Sequence, residues 1–137
     1  MIKPLLAMVF SGMALLGVAE AAERLTLDQA KQTIKTQRSA IWRDHYSLRD
    51  AKIGEPFACS YDAMVQTGPT LANLQKVSEP ATCVCVEADA KNGMGGYAGL
   101  QSVMVYIRRS GAVEGVDGSR FRDRCTRLKP FPELGGK

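Results

Sequence analysis

The chain has one histidine, one tryptophan, no internal repeat and, past its first eighteen residues, no long apolar run. Each scarcity narrows the functional classes. A zinc site would have to be built from His45 and the Cys83-x-Cys85 pair, which supply a fourth ligand and tetrahedral geometry poorly. No metal and no cofactor is therefore expected. A membrane-spanning helix needs about 20 consecutive apolar residues, and residues 5–18 fall short of that length. Charge of one sign is also modest. The net charge is +4 and the pI about 9.0, a bias that gives generic attraction to anionic surfaces and little more. Hydrophobic residues make up 45% and charged residues 23% of the 137 positions, a globular balance that fits one domain.

What is present begins with an export signal. Lys3 precedes the apolar run of residues 5–18, and Ala19-Glu20-Ala21 places small residues at the −3 and −1 positions of a cleavage site. Cleavage after Ala21 is expected. It would leave a domain over residues 22–137 in the bacterial periplasm, with no transmembrane segment and with nucleic acid a poor partner. Four cysteines follow: Cys59, Cys83, Cys85 and Cys125. An even number in an exported chain reads as a disulfide framework. With Val84 in a strand, Cys83 and Cys85 are expected to point to opposite faces and not to join each other. Two pairings are left, Cys59–Cys83 with Cys85–Cys125 being favoured over the crossed alternative.

Residues 26–42 carry helical spacing in Leu27, Ala30, Ile34 and Ile41, and Thr26 with Gln29 resembles a capping box. A first strand is expected near residues 48–59, with Gly54 and Pro56 marking a bulge or an edge. Residues 64–80 read as a connection, because Thr67-Gly68-Pro69 and Ser78-Glu79-Pro80 are turn signals at its two ends. Strands are expected at residues 82–88 and 100–108, with a short fourth at 112–116 after the Ser110-Gly111 turn. The tail from about residue 130 reads as loose. The expected fold is α+β: an N-terminal helix on a three- to four-stranded antiparallel sheet, stapled by disulfides.

The loop at residues 92–99 is the most distinctive motif. A phosphate-binding loop must be followed by a helix, whereas a β-branched run follows Gly99. The spacing of Gly93, Gly95 and Gly99 also misses the dinucleotide fingerprint. The loop reads as a wide hairpin connection anchored by Tyr97, with Asn92, Met94 and Tyr97 as candidate binding residues.

Ala90-Lys91-Asn92 followed by Gly95-Gly96-Tyr97-Ala98-Gly99-Leu100 resembles a family of small exported proteins and lipoproteins of proteobacteria, to which no function is attached. Those carry an Asn-Ala-Lys-Asn run, a Gly-Gly-Tyr-x-Gly loop and a preceding cysteine, here Cys85. Asp44, Tyr46 and Ser47 match a further segment, with His45 where proline is usual. Leu48-Arg49-Asp50-Ala51 also fits, and Asp89 replaces the first Asn. The resemblance spans residues 27–109 and implies an exported location. Its late cysteine matches Cys125 and favours a Cys85–Cys125 bond.

Catalysis has little to work with. His45 lacks an evident nucleophile partner, and paired cysteines offer no thiolate. Glu87 and Asp89 would share a strand face about 7 Å apart, as carboxylate pairs on many surfaces do. Arg120, Arg122 and Arg124 alternate around Phe121 and Asp123. If extended, they would present one basic face to an anionic polymer or an acidic protein. The leading expectation is a non-enzymatic periplasmic binding or envelope-associated module, its partner an envelope protein or an anionic envelope polymer. A periplasmic inhibitor of a wall-degrading enzyme such as lysozyme is the alternative, and an envelope-polymer hydrolase is a more remote one.

Overall fold

The computed structural model describes residues 24–92 and 94–135; residues 1–23 (which include the expected export signal), Gly93 and the last two residues lie outside the described residues. Helix α1 (Leu27–Thr36) starts where the capping box places it. The Thr26 hydroxyl accepts from the Gln29 amide at 3.2 Å, and the Gln29 side chain accepts from the Thr26 amide at 3.0 Å. It ends sooner than the apolar spacing suggests. Gln37 leaves helical geometry, and Arg38–Ala40 form a single separate turn. Burial nonetheless keeps a four-residue step through Ala30, Ile34, Arg38 and Trp42.

Six antiparallel strands follow: β1 (Arg49–Ile53), β2 (Phe57–Gln66), β3 (Leu74–Lys91), β4 (Tyr97–Arg108), β5 (Val113–Asp117) and β6 (Lys129–Pro130). Their order is β5-β4-β3-β1-β6, with β2 also paired to β3. Strands β1 and β2 lie end to end along one edge of β3, broken at Gly54-Glu55-Pro56. Proline cannot donate to a ladder, so the break falls there, while the Gly54 amide still reaches the Cys85 carbonyl at 2.9 Å. The molecule is therefore predominantly β, and the expected α+β fold with three or four strands is corrected.

The main reason for that correction lies in residues 64–80. They are not a connection: β2 runs to Gln66, a turn closes around Leu71–Asn73, and β3 begins at Leu74. The Ser78-Glu79-Pro80 signal sits inside β3. Proline is tolerated at residue 80 because β4 stops at Arg108 opposite Ala81, which leaves one edge of β3 without a strand partner beyond that point among the described residues. Residues 60–66 and 74–80 thus form a two-stranded arm projecting past the sheet.

A polar belt crosses the base of this arm. The Ser78 hydroxyl donates to Asp62 at 2.6 Å, and the Lys76 ammonium lies 3.1 Å from the same carboxylate. Arg108 donates to Glu79 at 2.6 Å and lies over the Tyr61 ring, whose hydroxyl donates to Glu114 at 2.5 Å. The Ser78 hydroxyl and Lys76 hold Asp62 below its ordinary 3.8, and the Arg108 bond holds Glu79 below its ordinary 4.5.

Alternation along β3 sends Val84, Val86 and Ala88 to one face, under Ala30, Ile34 and Trp42. Cys83 and Cys85 go to the other, with Met104, Phe57 and Phe121. The expectation that the two cysteines face opposite sides is corrected: residues two apart in a strand share a face. Spaced along the strand, each bonds elsewhere, in the favoured pairing Cys59–Cys83 and Cys85–Cys125. The closed segments of 24 and 40 residues correspond to about 3.5 and 3.9 kcal/mol of chain entropy removed from the unfolded state.

The C-terminal tail is not loose. Phe131 is 1% exposed and Leu134 fully buried, both in the core under α1, and the Phe131 amide donates to the Ala51 carbonyl at 2.7 Å. Sequence position suggested a free end; two buried apolar side chains tie it down.

Two outcomes follow from this packing. Phe131→Ala should cost about 3–5 kcal/mol, read by denaturant unfolding. Carboxylates lowered in the fold stabilise it fully above their ordinary values and lose that contribution as pH falls through the lowered ones. The midpoint of thermal unfolding should therefore fall on acidification below pH 4.5, and less steeply in an Asp62→Asn, Glu79→Gln double variant.

Candidate functional site

The loop between β3 and β4 is built around Asp89. Two irregularities in strand register flank this residue, one on each neighbouring strand. On β1, Arg49 pairs with Asp89 but Lys52 with Glu87, so an extra residue is accommodated where Asp50 adopts φ 53. On β4, Leu100 pairs with Asp89 but Tyr97 with Lys91, and Gly99 adopts φ 93. Asp tolerates the left-handed region and Gly favours it, and such bulges re-aim neighbouring side chains. The Asp89 residue is 6% exposed. Its Oδ2 accepts from Arg49 Nε at 3.0 Å and its Oδ1 from the Gly99 amide at 3.1 Å. Arg49 in turn stacks 3.5 Å from the centroid of the Tyr97 ring, with the Lys91 ammonium 5.8 Å from that ring. Cation–π contact and the buried carboxylate together hold Tyr97 at the surface in one orientation.

Asn92 has an internal role. Its Oδ1 accepts from the Met94 amide at 2.9 Å and the Gly96 amide at 3.2 Å, closing the turn as an Asx motif does. Met94 is 96% exposed at the tip.

The three arginines do not form the basic face that an extended strand would give. Asp117 accepts from the Ser119 amide at 3.0 Å and turns the chain into the one-turn helix Gly118–Phe121. The Cys85–Cys125 bond then pins the following turns to the sheet. Arg124 lies 4.7 Å over the Phe57 ring, Arg120 is exposed beside Asp117, and Arg122 borders a groove. The expected array is thus corrected, because local capping and a crosslink override the alternation.

That groove, of about 710 Å³, runs between the start of β4 and the segment after β5. Leu100, Gln101, Ser102, Ser119 and Arg122 border it. Strand β5 ends at Asp117 opposite Val103 and Gly118 then closes on the Ser102 backbone, so the outer edge of β4 from Tyr97 to Gln101 has no strand partner among the described residues. The groove joins the loop to Arg122, leaving Arg120 and Arg124 outside its lining. The Ser119 amide keeps the Asp117 carboxyl below its ordinary value, so a negative charge also borders the groove.

His45 stacks beside Tyr46, with ring centroids 4.1 Å apart, and shares a small cavity with Lys35 and Arg38. Asp89 has both oxygens engaged as described, so the Glu87 and Asp89 pair does not present two free carboxylates. Sequence reasoning missed Arg49 and the β4 edge as parts of the site. Arg49 did stand in the Leu48-Arg49-Asp50-Ala51 segment, whereas an unpaired edge leaves no mark in composition.

No protein family, no curated protein and no solved structure matches this chain.

Replacing Asp89 with alanine should cost about 1–3 kcal/mol by orphaning the Gly99 amide and freeing Arg49. Hydrogen exchange at the Gly99 amide should quicken, whereas exchange at Val84 and Val105 in the core should not.

Proposed function

We propose that the chain is a non-enzymatic binding module of the bacterial periplasm that captures an extended segment of an envelope protein. The observation that carries this reading is the open outer edge of β4 beside the groove. An added strand would pair with the edge from Tyr97 to Gln101, beyond the point where Gly118 closes on Ser102. Leu100, 52% exposed, offers an apolar contact and Arg122 a cation for a carboxylate, while Tyr97, held by Arg49 and Lys91 in a fixed pose, lies outside the groove lining at the start of the same strand. Rigid aromatic anchors dominate such interfaces because little side-chain entropy is lost on binding. The two disulfides support an oxidising compartment. The export segment and the resemblance to exported proteins point to the periplasm. A protein partner suits this site better than an anionic polymer, since the arginines are dispersed and Asp117 adds negative charge.

Tyr97→Ala and Leu100→Asp are each expected to reduce capture of envelope proteins in a pull-down about ten-fold, with thermal unfolding of each variant close to that of the parent. Unchanged capture by both variants would refute the assignment.

A further inference from the structure

The arm projects from the opposite end of β3. A strand of eighteen residues spans about 60 Å at the usual rise, so this arm and the groove are remote from each other. Beyond the polar belt, the arm exposes apolar side chains on both faces, interspersed with the polar Gln66, Thr67, Thr70, Asn73, Gln75 and Lys76. Strand register places Met64 and Leu74 on one face, Val65 and Val77 on the other, and Leu71 lies at the tip. All five are exposed, Leu71 at 83%. A surface made for a flat protein partner would concentrate such residues on one face; here they surround the ribbon.

Charge is arranged to match. Between residues 64 and 77 the only charged side chain is Lys76. Its ammonium reaches 3.1 Å from Asp62, toward the base, as lysines do when their stems lie along apolar surface and their heads seek water. Tyr61 lies in the belt itself, beside Arg108 and Glu114, the level at which amphipathic rings sit in membrane proteins. The paired residues beyond Asp62 and Ser78 span about 13 Å before the turn at residues 67–73, enough to cover the roughly 5–10 Å to which interfacial segments enter a bilayer.

We infer that the tip of the β2–β3 arm inserts into the interfacial layer of a phospholipid bilayer, with the polar belt stopping it at the headgroups. The chain then rests on a membrane by one end and presents the β4 edge at the other. The overall charge of +4 favours a leaflet containing anionic lipid, while Leu71 and the exposed apolar side chains flanking the turn provide the hold.

The test is co-sedimentation of the oxidised protein with vesicles of phosphatidylethanolamine and phosphatidylglycerol. The parent should bind and stay bound in about 0.5 M salt, where exposed charges are screened. A Leu71→Asp, Leu74→Asp variant should bind at least about ten-fold less, with unchanged thermal unfolding and unchanged capture through the β4 edge. In a Leu71→Trp variant, the added indole emission should shift to the blue and be quenched by brominated acyl chains. Absence of parent binding, release by salt, or equal binding by the aspartate variant would overturn the inference. So would a parent dimer in sedimentation velocity that the aspartate variant abolishes, since the arm would then join two copies of the chain. Loss of capture in the Tyr97→Ala variant with vesicle binding intact leaves the inference standing, because the two surfaces are separate.

Discussion

Backbone pairing along β3 is the constraint on which the rest of the molecule depends. Eighteen residues of extended chain expose a donor and an acceptor at almost every position, and each must find a partner or water. One edge is covered by β1 and β2 in series, the other by β4 up to Ala81. Where β4 ends, the remainder becomes a solvent-facing ribbon. The arm, the location of the core and the two-ended character of the molecule all follow from this unequal coverage.

The disulfides stabilise what the small core holds less firmly. Both attach to the face of β3 opposite α1, one fastening β2 and the other fastening the segment after β5. That face has a smaller buried apolar cluster than the helix side, and removing unfolded-state entropy there offsets the thinner burial. The same bonds leave no free thiol among the described residues, and the cysteines act as architecture.

Asp89 plays the corresponding part at the loop end. A nearly buried carboxylate must be paired or hydrogen-bonded, and here it is both. Through Arg49 it supports an aromatic ring at the surface, so the pose of Tyr97 rests on a group two contacts away. Residues from two distant segments meet at this point: Arg49 from β1, Tyr97 and Gly99 from the start of β4. Their sequence separation hid a contact that the bulges in β1 and β4 create.

Local physics made part of this legible in advance. The capping box at Thr26, the β-branched run before Arg108 and the turn at Gly111 all concern neighbours in the chain, and each stands as the residues imply. Residues 64–80, the arginine segment and the tail read differently in the fold because their state depends on distant partners. Pro80 is harmless only where β4 has already stopped, Arg124 is placed by Phe57, and Phe131 is held by α1 and Ala51. The sequence by itself determined the start of the helix, the turn signals and a cysteine framework, because propensity, capping and spacing act over a few residues. Only the tertiary structure decided which strand edges stay open, which side chains surround Tyr97 and which end of β3 is apolar, because those follow from pairing between segments tens of residues apart.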